Sequence, residues 1–258
     1  MNTKELFDLQ GCNAIVTGGS RGLGLQIAEA LGEMGAKVAL TARKKAELDE
    51  AVAHLAKLGI EASGWPCDLG KREQIAPLVE SILKHFGKID ILVNNAGAVW
   101  AEAAEKHPID AWDKLVALNM TANFVLSQAV ATKSMIPNRR GRIVNVASVA
   151  GITASDPRVV RTISYNATKH GVIGLTRQLA AEWGAHGITV NAICPGFFPS
   201  KMTNVMLGAT GKIVLEGTPT GRLGNEEDLK GVAVLLASEA SRHITGQAIA
   251  VDGGASVI

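Results

Sequence analysis

The sequence predicts an α/β fold built on a parallel, doubly wound sheet. Three observations carry that expectation. Short runs rich in Val and Ile recur without polar alternation, longer helical stretches separate them, and a glycine-rich turn joins the first run to the first helix. Runs without alternation suit strands covered on both faces. Strands separated by helices at this spacing pair in parallel. Right-handed crossovers then gather the C-terminal strand ends along one edge, where ligands bind in such sheets.

Taken in order, the first strand is expected at 13–17 and the first long helix at 23–34. A strand at 37–41 and a helix at 44–58 follow, with Gly35 and Gly59 placed as C-caps. A weaker strand near 60–65 leads into a helix at 72–86. The fourth strand is expected at 89–93, and a long helix at 111–134 comes after it. The remaining elements are a strand at 142–146, a helix at 164–186, a strand at 189–193, a helix at 226–237 and a last strand at 248–251. No Pro/Ser linker, low-complexity tract or internal repeat interrupts them, so residues 1–258 read as a single domain.

Composition supports a large core: 47% of residues are apolar and 19% charged. A net charge of +2 is too small to make nucleic acid or an acidic membrane surface the main partner. The start, MNTKELFDLQGCNAIV, lacks the apolar stretch of a signal peptide, and no window of about 18 apolar residues is found to span a bilayer. Cys12, Cys67 and Cys194 are odd in number and far apart, which points away from a disulfide framework and toward a reducing cytoplasm. They read as small core residues. The six histidines do not pair with Cys or carboxylates at ligand spacing, and no catalytic metal is expected.

The first strand runs into TGGSRGLG, Thr17–Gly24, and then into the helix. Gly18, Gly22 and Gly24 permit a tight turn and close backbone approach to a pyrophosphate, while the helix start offers free N–H groups. The spacing is G-x-x-x-G-x-G. With Asn94-Asn95-Ala96-Gly97 after the fourth strand, Ser148 after the fifth, and Tyr165 four residues before Lys169, the chain resembles the short-chain dehydrogenase/reductase family over nearly its whole length. The resemblance implies a Rossmann-like domain with a seven-stranded sheet, usually in a homotetramer. It also implies that Ser20, Leu23, Asn95, Ala96 and Gly97 line the cofactor, and that Asp68, with Leu69 beside it, accepts from the adenine amino group.

Dinucleotide sites for NAD usually carry an acid at the end of the second strand. Here Ala42 stands at that position, Arg43 follows, and Arg21 lies inside the glycine loop. Two guanidinium groups with no carboxylate beside them suit a 2′-phosphate, so NADPH is expected over NADH.

Tyr165 is the only tyrosine, and Lys169 lies one helical turn beyond it. Residues four apart share a helix face. A nearby cation favours the phenolate, so the lysine is expected to lower the tyrosine's pKa and ready it as general acid for carbonyl reduction or base for oxidation. Ser148 is placed to hold the carbonyl oxygen. By resemblance, Asn119 is the fourth catalytic residue, holding a water that joins Lys169 to solvent. Pro195 and Gly196 shape the turn after the sixth strand, and Phe198, by its backbone, and Ser200 match positions that fix the nicotinamide.

Residues 197–221 read as a substrate lid, in which Phe197, Met202, Val205 and Met206 supply an apolar face and Gly208 and Gly211 allow movement. Core packing accounts for the same residues equally well. Trp100 adds an apolar wall. Within the family the chain looks most like 3-oxoacyl reductases, with polyol and gluconate dehydrogenases on the same frame. The expected partners are a small ketone or alcohol, or an acyl thioester, and further copies of this chain, paired through the helices at 111–134 and 164–186. Ser148 and Tyr165 are 17 positions apart, about four more than the family usually has. The added stretch, 154–164, either borders the substrate pocket, where Arg158 and Arg161 would meet an anion, or is a solvated loop or a subunit contact.

Overall fold

The computed structural model describes residues 1–199 and 204–258, with no description of the side chains of 204–207 and 209. Seven strands form one sheet: β1 (Asn13–Thr17), β2 (Lys37–Ala42), β3 (Ala62–Pro66), β4 (Ile91–Asn94), β5 (Gly141–Val146), β6 (Ile188–Pro195) and β7 (Ala248–Val251). The order is β3-β2-β1-β4-β5-β6-β7, and every neighbouring pair is parallel. The winding reverses between β1 and β4, so the crevice beyond their C-terminal ends is the switch point where such sheets bind ligands. The helices are α1 (Thr3–Phe7), α2 (Gly22–Glu33), α3 (Lys45–Lys57), α4 (Ile75–Phe86), α5 (Ile109–Asn138), α6 (Ile163–Trp183), α7 (Asn204–Glu216) and α8 (Lys230–Ala237).

Side chains along each strand alternate between two apolar layers. Ala14, Val16, Val38, Leu40, Ile91 and Val93 join α2, α3 and α8 on one face. Ile15, Ala39, Leu92, Ile143 and Val190 join α4, α5 and α6 on the other. β1, β4, β5 and β6 are buried along their whole length. That double burial is the reason their sequences carry no polar alternation.

Boundaries differ from the sequence expectation where side chains intervene. β3 starts at Ala62 because Ile60 packs onto α2 first; a Cβ on Gly32 would lie 2.2 Å from Ile60 Cγ2. β4 starts at Ile91 because the Ile89 N–H donates to Ser134 Oγ and Asp90 Oδ2 accepts from the Asn13 N–H. α8 starts at Lys230, after a turn closed by Asn225 and Asp228. α1 was not expected; a capping box between Asn2 and Glu5 makes its single turn. Gly35 and Gly59 follow α2 and α3 at φ of +97° and +74°, as C-caps require.

α5 corrects two expectations. It is longer than expected and contains two π segments, Val116–Thr121 and Ala131–Met135. By length and composition it is also apolar enough to cross a bilayer, where the sequence reading found no such window. Burial accounts for part of that content: Ala122, Leu126, Val130 and Met135 pack into the layer shared with α4 and the sheet, while Phe124 is exposed.

Candidate active site

β1 ends at Thr17, and the chain turns through Gly18 and Gly22 at φ of +62° and +55°. A Cβ on Gly24 would lie 2.4 Å from the Gly18 carbonyl oxygen and from Asn95 Nδ2. Helix and turn therefore meet backbone to backbone, which excludes a side chain there. At Gly22 a Cβ would meet nothing within 4 Å, so that side of the loop is open. Arg21, the N-cap of α2, makes no side-chain cap bond. The first-turn N–H groups stay available to an anion, and the loop fits a pyrophosphate. Ser20 and Leu23 lie half-buried in the same loop.

Asn95 braces the turn from the end of β4, with Nδ2 donating to the carbonyls of Thr17 at 2.8 Å and Gly18 at 3.2 Å. Thr17 completes the brace, and the sequence reading missed it. Its Oγ1 accepts from the N–H groups of Asn95 and Ala96 at 2.8 and 2.9 Å. A threonine at a strand end carries no distinctive signal.

Arg21 and Arg43 both emerge, exposed, at the end of the glycine loop and of β2. The expectation that no carboxylate stands beside them is overturned. Glu47 Oε1, in the first turn of α3, accepts from Arg21 Nη1 at 3.3 Å and from Lys44 Nζ at 3.0 Å. The strand end itself has no acid, but α3 turns one back toward the same edge. Beyond β3, Asp68 Oδ1 accepts from the Gly70 N–H at 3.1 Å, and the Asp68 N–H donates to Gln74 Oε1 at 2.9 Å. Leu69 is buried beside it.

Tyr165 and Lys169 share one face of α6, with Lys169 Nζ 5.5 Å from the centroid of the phenol ring. Lys169 is 4% exposed, and its ammonium donates to the Val146 carbonyl at 2.6 Å. Burial pushes the lysine down to about 8. Tyr165 moves the other way: burial pushes its phenol up, and a hydrogen bond with Ser148 offsets part of the rise. The expected lowering by Lys169 therefore does not appear. The ammonium sits over the ring and bonds a carbonyl rather than the phenol oxygen, so loss of water dominates.

Ser148 ends the segment after β5 in extended backbone, and its Oγ also accepts from the Ala150 N–H at 3.1 Å. Asn119 lies buried in the first π segment of α5. Its Oδ1 accepts from the Ala98 N–H at 2.9 Å, and its Nδ2 donates to the Ala98 carbonyl at 2.9 Å and to Thr168 Oγ1 at 3.2 Å. The side chain thus ties the loop after β4 to α6. Gly97 lets that loop close: a Cβ there would lie 3.3 Å from Asn119 Oδ1 and 3.8 Å from Lys169 Nζ. Cys194 was read as core filler. It is fully buried, and burial pushes its thiol up to about 11, with the Ser148 backbone and the Lys169 charge both offsetting part of the rise.

β6 ends at Pro195, and a Cβ on Gly196 would lie 2.8 Å from Asp252 Cα, so glycine permits the close approach to the turn after β7. The Phe198 ring is buried against Gly224. Ser200 and Met202, and the side chains of Val205 and Met206, lie outside the described residues. Gly208 and Gly211 fall within α7, with open space where a Cβ would go. In the lengthened connection, Asp156 engages Arg158 through Nη2–Oδ2 at 2.6 Å and Nε–Oδ1 at 3.1 Å. The pair lies on the surface, and Arg161 is exposed as well. Among the described residues, no three His, Cys, Asp or Glu side chains gather as metal ligands.

Comparison with known proteins agrees with this geometry. The chain is 39% identical to the gluconate 5-dehydrogenase of Gluconobacter oxydans, over all of this chain and 99% of that one. It is 37% identical to the 3-oxoacyl-[acyl-carrier-protein] reductase of Haemophilus influenzae, over 95% and 98%. A crystal structure of a gluconate 5-dehydrogenase from Burkholderia cenocepacia, in complex with NADP and tartrate, superposes with a TM-score of 0.94 at 31% identity and covers 100% of both chains. The family model for short chain dehydrogenases matches residues 12–208. A glycine turn at the switch point, a tyrosine–lysine pair on one helix face and full-length relatives of one kind converge: the chain belongs to the short-chain dehydrogenase family of oxidoreductases.

Proposed function

We propose that this chain is an NADPH-dependent carbonyl reductase that transfers hydride to a ketone. The observation that carries the reading is the cluster at the strand ends: Tyr165 and Lys169 on one helix face, with the ammonium 5.5 Å from the phenol ring, and Ser148 close enough to lower the phenol's pKa. NADPH supplies the hydride when bound, held by the glycine loop and the first turn of α2. Ser148 Oγ holds the carbonyl oxygen, and Tyr165 gives it the proton. A phenol pushed up by burial keeps that proton at neutral pH, which suits an acid in the reducing direction. Lys169 returns a proton toward Tyr165, and Asn119 fixes the loop over both. Gly18, Asn95, Ala96, Gly97, Pro195, Gly196 and Phe198 shape the cofactor groove.

Arg21 and Arg43 favour NADPH because guanidinium groups match a 2′-phosphate. Arg21 exchanges Glu47 for that phosphate. Replacing both arginines by alanine is expected to weaken NADP+ binding by about 10–100-fold and leave NAD+ binding within about twofold. Calorimetric titration with each nucleotide checks this; equal losses for both would remove the assignment.

For the substrate, Trp100 and Ile152 are exposed apolar residues on the connections that follow β4 and β5. They support a 3-oxoacyl thioester. A second reading, gluconate 5-dehydrogenase, is favoured by the full-length relative of that name. NADPH oxidation with 3-oxoacyl thioesters and with 5-ketogluconate separates the two. Tight NADPH binding without turnover of either would instead indicate a non-catalytic sensor. A tetramer paired through α5 and α6 is part of the same proposal, and light scattering tests it.

A further inference from the structure

Tyr165 occupies the first turn of α6, where N–H groups have no intrahelical partners and helices fray. Thr162 precedes the helix without capping it; its Oγ1 donates instead to Asn166 Oδ1 at 2.8 Å. The connection leading in is the lengthened one. That connection reaches the turn at Asn166, through Ser155 Oγ at 3.1 Å and the Thr153 carbonyl at 3.5 Å; the residues on either side of the helix start are held from across the edge, by the connection after β4. The Glu102 N–H donates to the Arg161 carbonyl at 2.9 Å, and Glu102 pairs with Thr162 in one parallel bridge. His107 then reaches Ser164, with Nε2 2.7 Å from Oγ. Ser164 is fully buried and is the chain neighbour of Tyr165. The His107 ring is itself fixed: Nδ1 lies 3.0 Å from the Pro108 carbonyl oxygen, and the ring stands edge-on to Trp112 with centroids 6.3 Å apart. A carbonyl only accepts, which places the hydrogen of the neutral ring on Nδ1 and makes Nε2 the acceptor of the Ser164 hydroxyl.

We infer that His107 is a positioning residue for Tyr165: through Ser164 it clamps the first turn of α6 to the connection after β4 and so keeps the phenol on Ser148. The kinetic consequence rests on the reductase reading, whereas the clamp itself belongs to the free protein. The same connection is pinned at its other end, where Asn119 holds Ala98. One segment therefore sets the spacing between Asn119 and Tyr165.

The test uses His107→Ala, His107→Gln, Ser164→Ala and the double alanine variant. In His107→Ala, kcat for ketone reduction is expected to fall about 10-fold, with ketone KM and NADPH Kd within about twofold. Glutamine, whose amide reaches the place of Nε2, restores most of the loss. The double variant is no slower than the slower single one, because both remove one contact. Tyr165 being the only tyrosine, its ionisation is read directly from phenolate absorbance in the cofactor-free protein, with Tyr165→Phe as blank. The wild type titrates above the ordinary value of about 10, and His107→Ala moves down toward it. Unchanged kcat in His107→Ala, additive losses in the double variant, or a phenol titration that stays put overturns the inference. Should His107→Ala fail to fold, Ser164→Ala, a smaller change, gives the same two readouts. If the wild type reduces no ketone, the reductase reading fails and the phenol titration alone decides the clamp.

Discussion

Tyr165→Phe is expected to bind NADPH with unchanged Kd and to reduce ketones about 10²–10⁴-fold more slowly. The substitution removes one oxygen and its proton. The ring stays where Lys169 packs over it, so the ion–ring contact survives. Ser148 loses its phenol partner but keeps the Ala150 N–H. Folding should change by about 1 kcal/mol or less, the usual worth of one hydrogen bond. Single-turnover NADPH oxidation, run beside a calorimetric binding titration, separates chemistry from binding. Turnover near that of the wild type would mean that another group donates the proton.

Lys169→Met should produce two effects of opposite benefit: reduction falls about 10²-fold or more, and the fold becomes more stable at neutral pH. The side chain is buried, and its folded-state pKa of about 8 lies below the ordinary 10.5. Below pH 8 the lysine is charged in both states, and the cost of burying the charge is fully present. Between about 8 and 10.5 the unfolded chain binds the extra proton, so stability rises with pH across that window. The shift corresponds to on the order of 3 kcal/mol. Methionine removes that cost but leaves the Val146 carbonyl without its ammonium donor, so a net gain of roughly 1–2 kcal/mol is expected at pH 7. That gain would raise Tm by roughly 2–8 °C. Thermal unfolding at pH 7 and pH 10 checks the sign: the variant should lead at pH 7, and the gap should narrow at pH 10. A variant that unfolds earlier than the wild type at pH 7 would show that the ammonium stabilises the fold.

The elements that were legible in the sequence are those fixed by local physics. β1 and β7 lie where the apolar runs placed them, and β5 and β6 contain theirs; the runs of β1, β5 and β6 go unbroken because the strands are buried on both faces. The glycine turn and the Tyr165/Lys169 spacing are likewise local: a turn needs its own glycines, and one helix face its own four-residue step. What stayed hidden depends on residues far apart in the chain. Glu47 meets Arg21 across 26 positions, and His107 meets Ser164 across 57. Neither carries a motif. The π segment around Asn119 was hidden for a different reason, since a widened turn leaves the apolar pattern of a helix nearly intact.

Each π segment of α5 holds one residue more than the α-helical turn it replaces. Taking out a single residue inside Val116–Thr121 or Ala131–Met135 lets the turn tighten while everything downstream keeps its angular phase. The same deletion in the regular stretch Ala122–Val130 would swing the rest of the helix by about 100°, carrying Met135 out of the packed layer. The helix thus has two places where it tolerates shortening. The first contains Asn119; only the second can lose a residue without disturbing the chemistry at the sheet edge.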